Sequence, residues 1–200
     1  DKTKKITIKY PLNTKFNKNL IIRELLLQKN GIKAYNCMKI FKTDIANKNK
    51  IRYKEEAFTV EDALFFIQYS YYCKKINYIN EYTYHYLKRE GSLSNQINKK
   101  IIDSFNLVIN EIIKFLKDNK IYQTYAEECN SLYNTYYVLI LKKIIYFKNS
   151  KQKKLELIEY TNEIFDCKNR IVKLKKELYY NKETEKTIDL VIEKNFNIEE

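Results

Sequence analysis

The chain has 200 residues and a net charge of +13, and its 44% hydrophobic and 14% aromatic content is enough to bury a core and excludes wholesale disorder. Two glycines and one proline exclude a fold of many short strands and tight turns, and favour long helices. The cysteines Cys37, Cys73, Cys129 and Cys167 are widely spaced and form no metal-ligand pattern with the single histidine, His85, which argues against a zinc site and for reduced thiols.

Residues 4–10 alternate polar and apolar, which predicts a strand with one buried face. Residues 13–19 read as a polar loop. Residues 20–29 carry apolar side chains at helical spacing, with Asn30-Gly31 as the stop signal. Residues 34–42 are compact and mixed, residues 43–49 predict a short helix, and residues 51–58 are irregular. Thr59 is the expected N-cap of a helix over 60–75, with Asp62 where a capping-box acid sits. Leu64, Phe65, Ile67, Tyr71 and Tyr72 make that helix mostly buried. Short strands are predicted at 76–79 and 82–87, followed by a turn at 89–92. From Asn95 onward the pattern is helical, over 97–118, 120–148, 151–180 and 184–194. The expected fold class is α+β and predominantly helical, with a mixed region at 1–95 and a helical region at 96–200.

No apolar run reaches the roughly 18–20 residues that a membrane span needs. Residues 138–154 interleave apolar side chains with lysine. They read either as an ordinary bundle helix or as a basic amphipathic helix on an anionic membrane surface. Tyr122, Tyr125, Tyr133, Tyr136 and Tyr137 fall near helical spacing and read as packing. The net charge draws anionic partners, among them nucleic acid, lipid headgroups and sugar nucleotides. The lysines are dispersed, and no helix-turn-helix, zinc-finger or RNA-recognition signature accompanies them, which argues against nucleic acid. A basic nucleic-acid-binding module and a protein-interaction module are the alternatives from composition alone. Sustained heptads of a simple coiled coil are absent from the sequence.

Three segments occur in a recognisable order. Lys39-Ile40-Phe41-Lys42-Thr43-Asp44-Ile45 comes first and Val60-Glu61-Asp62-Ala63-Leu64-Phe65 second. The third runs from Tyr78-Ile79-Asn80 through Tyr84-His85-Tyr86 to Arg89-Glu90-Gly91-Ser92. This ordered set resembles the C-terminal, acceptor-side portion of bacterial family 2 glycosyltransferases of the GT-A type. The resemblance implies the rear part of a GT-A α/β fold followed by a C-terminal helical bundle or extension. It implies an intact enzyme that transfers a sugar, with inversion, from a nucleotide-sugar donor to a glycan or lipid-linked acceptor. The setting would be surface polysaccharide or lipooligosaccharide synthesis, in the cytoplasm or peripherally on the inner face of the cell membrane. The family's Asp-x-Asp motif, which holds the donor diphosphate through a divalent metal (Mg or Mn), does not occur in these residues. The donor half is therefore expected ahead of Asp1, and this portion alone is expected to be inactive. The chain has no tryptophan and lacks the Gln/Arg-x-x-Arg-Trp motif, which disfavours a processive polymerase. Cys37 stands where many relatives carry tryptophan, with Tyr35 the aromatic nearby.

An inverting transfer is one displacement at the anomeric carbon, and it needs a carboxylate to take the proton of the attacking hydroxyl. It also needs positive charge at the leaving diphosphate. The resemblance implies Asp62 as that base. It implies Glu61, Lys39, Arg89 and Tyr35 as acceptor or donor contacts and His85 as a metal ligand. A place in the first turn of a helix favours an ionised Asp62. Glu61 and Asp62 read equally as first-turn charges that stabilise their helix, and His85 as a core or surface histidine. Lys88 and Arg89 read as diphosphate-facing or as solvated cations.

Overall fold

A computed structural model describes residues 16–28, 32–79, 84–85 and 96–165. Helix α1 (Lys18–Leu27) begins where Asn17 Oδ1 accepts the Leu20 N–H at 3.0 Å, closing one of the donors a helix start leaves open. It ends at Gln28, whose left-handed backbone (φ 55°) returns its N–H to the Glu24 carbonyl. Helix α2 (Thr43–Lys48) is short, as the sequence predicts. Helix α3 (Glu61–Tyr72) follows, and helix α4 (Lys99–Asp118) is capped by Asn98 in the manner of α1. A 3-10 turn over Tyr122–Tyr125 leads directly into α5 (Ala126–Tyr146), and Ser150 caps α6 (Lys151–Ile164).

Two expectations are corrected. Thr59 does not cap α3. Val60 occupies that position with φ 58°, and α3 has no side-chain cap. A β-branched residue in the left-handed region costs about 1–3 kcal/mol, so the surrounding contacts hold it there. Residues 76–79 and 84–85 are neither strand nor helix, and no strand occurs among the described residues. Tyr78 rests on Phe16 with ring centroids 5.5 Å apart. The strand expected at 4–10, residues 82–83 and 86–87 of the second short strand, the turn at 89–92 and the helical sequence of 166–180 and 184–194 lie outside the described residues.

One apolar cluster joins Ile22 and Leu25 of α1, Leu64 and Ile67 of α3, and Phe105 and Ile112 of α4. Tyr137 and Leu141 of α5, Leu157 of α6 and Phe165 beyond it complete the same cluster. Burying a side chain of this kind contributes about 1.5–3 kcal/mol, so cooperative burial rather than helix propensity fixes the packing. Helix α1 lies against α3 and α5, and α4 packs on α3, α5 and α6. The Arg23–Glu128 ion pair at 2.7 Å and the Tyr125 hydroxyl, 3.3 Å from Asn19 Oδ1, fasten α1 to the start of α5. The division drawn at residue 95 falls between elements that share this core.

In the 138–154 segment, Val138, Ile140, Leu141 and Ile144 face the core, while Leu139 and Tyr146 are exposed. This is the packing of an ordinary bundle helix, the first of the two readings of this segment. Burial also pushes the Lys143 ammonium below the usual lysine range. No helix among the described residues is long and apolar enough to cross a membrane.

Candidate functional site

A smaller apolar cluster lies against α3: Ile51, Phe65 and Tyr69, with Phe41, Ile45, Ala46 and Cys73 against them. Phe41 meets Phe65, Phe66 and Tyr69 edge-on, with centroids 5.3, 5.9 and 4.8 Å away. The Lys42 N–H donates to the Tyr69 hydroxyl oxygen at 2.7 Å, and that hydroxyl donates to the Lys42 carbonyl at 3.3 Å. Tyr53 stacks on Phe65 with centroids 4.6 Å apart and planes 12° from parallel. These contacts hold two loops, 32–42 and 51–60, along the helix that carries Glu61 and Asp62. The second loop is also tied to α4, because the Phe58 N–H donates to Ser104 Oγ at 2.9 Å and Ser104 donates to the Lys100 carbonyl at 2.8 Å.

Asp62 crosses to the first loop instead of capping its own helix. Its Oδ2 accepts the backbone N–H of Asn36 at 3.1 Å, and its Oδ1 accepts the Asn36 side-chain Nδ2 at 3.0 Å. Asn36 Nδ2 also donates to the Tyr53 hydroxyl oxygen at 2.7 Å. Asn36 Oδ1 is buried and has no hydrogen-bond partner among the described residues. An unpaired buried acceptor costs about 1–3 kcal/mol, which sets this amide apart from ordinary loop packing.

Lys39 closes the loop on itself. Its Nζ donates to the Lys33 carbonyl at 2.9 Å and to the Tyr35 carbonyl, and lies 4.8 Å from the Phe66 ring centroid. Burial pushes its ammonium below the usual lysine range, against the opposing pull of Cys37 and Asp62. Burial raises the Glu61 carboxyl. Its own backbone N–H lowers it in part, and the neighbouring Asp62 raises it further. Burial likewise raises the Tyr53 hydroxyl, against the Asn36 hydrogen bond and with help from Asp62 and Glu61.

Four of the six expected site residues are thus drawn to one place: Glu61, Asp62, Lys39 and Tyr35. The Tyr35 ring is 60% exposed while its carbonyl serves Lys39. His85 is exposed, and no bond or ring contact joins it to this group. Arg89 lies outside the described residues. Among the described residues no group of three or more His, Cys, Asp or Glu side chains is placed to hold a metal ion. The residues described do not build a divalent-metal site around His85.

Asn36 and Tyr53 are the members of this group that the sequence does not mark. Asn36 sits in a segment without periodicity and Tyr53 in an irregular one, so neither carried a signal beyond its residue type. An open pocket of about 430 Å³ is lined by Asn98, Lys99, Lys100, Lys153 and Leu157, none of which belongs to the Asp62 group.

No protein-family model matches the chain, and no solved structure matches it. Among curated proteins it is similar to the poly(ribitol-phosphate) beta-N-acetylglucosaminyltransferase TarP of Staphylococcus aureus (strain N315). The two are 28% identical over 160 residues, which are 78% of this chain and 49% of that protein. The chain therefore spans about half the length of the curated relative it matches.

Proposed function

We propose that the chain is the acceptor-side portion of an inverting GT-A-type glycosyltransferase, and that Asp62 is its general base. The observation that carries this reading is the meeting of two segments far apart in sequence. The loop bearing Tyr35, Asn36 and Lys39 closes on the first turn of α3, where Glu61 and Asp62 lie. The similarity to a glycosyltransferase over most of the chain supports it. The sugar would come from a nucleotide-sugar donor and go to a hydroxyl of a glycan or lipid-linked acceptor in the synthesis of a surface polymer. The relative's name makes a polyol-phosphate polymer the first acceptor to try.

In this mechanism an Asp62 carboxylate oxygen takes the proton of the acceptor hydroxyl. The freed oxygen attacks the anomeric carbon, and the bond to the nucleoside diphosphate breaks with inversion. Lys39, Glu61 and Tyr35 line the approach. The donor and a divalent ion would be held mainly by the rest of the intact enzyme. The ion would stabilise the charge on the leaving diphosphate.

The test is Asp62→Asn in the full-length protein, with transfer and donor binding measured separately. Loss of transfer by about 100-fold or more, with donor affinity and melting temperature unchanged, is expected. Transfer at the wild-type rate removes Asp62 from the mechanism.

A further inference from the structure

Asp62 carries the chemistry proposed above, but its side chain is not free to turn, because Asn36 holds both of its carboxylate oxygens. We propose that Asn36 is the positioning residue of Asp62, fixing the plane of its carboxylate so that the remaining lone pairs meet the acceptor hydroxyl. This inference rests on Asp62 being the base.

Three observations carry it. First, a single residue supplies one donor to each carboxylate oxygen, its backbone N–H to Oδ2 at 3.1 Å and its side-chain amide to Oδ1 at 3.0 Å. One bond leaves a carboxylate able to swing about its Cβ–Cγ axis, whereas bonds to both oxygens fix the plane. A carboxylate offers about four lone-pair sites, so the clasp still leaves sites on both oxygens for an incoming proton. Second, the amide is itself oriented. Its other hydrogen is held by the Tyr53 hydroxyl oxygen at 2.7 Å, and the Tyr53 ring is stacked on Phe65 of α3. Third, this orientation leaves Asn36 Oδ1 buried without a partner. Turning the amide over would offer that oxygen to the Tyr53 hydroxyl, but would set it against the Asp62 carboxylate. The orientation adopted is the one that turns the amide donor toward the Asp62 carboxylate.

The geometry separates positioning from substrate binding. Asn36 acts on the acceptor only through Asp62, so its removal should slow the chemical step and leave acceptor binding alone. The experiment measures transfer by the full-length enzyme carrying Asn36→Ala, Asn36→Ser, Tyr53→Phe or Asp62→Asn, together with Asn36→Ala in the Asp62→Asn background. Asn36→Ala should lower kcat about 10- to 100-fold with the acceptor KM within about threefold of wild type. Asn36→Ser, which keeps a short donor, should recover part of that loss. The double variant should transfer no more slowly than Asp62→Asn alone. Asn36→Ala at the wild-type kcat, or a loss that lies wholly in KM, overturns the proposal while leaving Asp62 as base. Wild-type transfer by Asp62→Asn overturns the mechanism on which it rests. If Asn36→Ala fails to fold, Tyr53→Phe decides: a kcat lowered about two- to fivefold at constant KM supports the proposal, and an unchanged kcat overturns it.

Discussion

The Tyr69 hydroxyl is the second point at which the 32–42 loop is fastened to α3, and Tyr69→Phe removes it without changing the packing. The bond from the Lys42 N–H is short at 2.7 Å, and the one returned to the Lys42 carbonyl is long at 3.3 Å. A hydrogen bond of the first kind contributes about 1 kcal/mol net, and the longer one a few tenths. The phenylalanine ring keeps the edge-on contact with Phe41, at 4.8 Å, and the stacking on Phe65, at 6.2 Å. The weak contact of the hydroxyl with the Cys73 thiol goes as well, and the expected destabilisation is about 1–1.5 kcal/mol. For a chain of this size that corresponds to a fall in melting temperature of about 2–6 °C. The loss should also be local. Hydrogen exchange of the Lys42 amide should accelerate, while exchange in α4 and α5 follows only the global change. A thermal melt and an exchange experiment on the variant read both. An unchanged melting temperature together with an unchanged Lys42 amide would refute the reasoning, since the hydroxyl would then be holding nothing.

Two further outcomes follow from buried charge. Glu61 has a carboxyl raised in the folded protein, chiefly by burial. The folded state therefore holds its proton to higher pH than the unfolded chain, and stability falls as pH rises through the window just above the ordinary glutamate range. Glu61→Gln should melt higher than wild type at pH 7, with the advantage vanishing at pH values below that window; equal melting temperatures at both pH values would contradict the assigned burial. Burial and then the neighbouring Glu128 push the Cys129 thiol up to about 12. At pH 8 its thiolate is about one part in ten thousand, so a thiol reagent followed by mass spectrometry should leave Cys129 unmodified until denaturant is added.

Long apolar periodicities were legible in the sequence. The stretch 97–118 reads as one helix because apolar residues such as Ile101, Phe105, Val108 and Ile112 recur on one face, and all four are buried. The start of α3 was displaced by one residue because Thr59 is the better cap by type, whereas tertiary contacts hold Val60 in a conformation its own side chain disfavours. The segment 76–79 looked like a strand because Ile and Tyr alternate with polar residues, but pairing depends on a neighbour that local sequence does not encode. Lys39, Glu61 and Asp62 were drawn together by an ordered resemblance rather than by periodicity. Asn36 was invisible because a hydrogen-bond clasp between positions 26 residues apart leaves no local pattern.

The pairing of α1 with α5 has a consequence for synthesis on the ribosome. Arg23 and Glu128 are separated by 105 positions. At about 5–20 residues per second, roughly 5–20 s pass between the emergence of the first and of its partner. Through that interval the side of α1 destined for α5 has no permanent cover. Ile and Leu side chains on a nascent segment are natural substrates for a holding chaperone, so the helix nearest the start of the described chain is the one whose maturation waits longest.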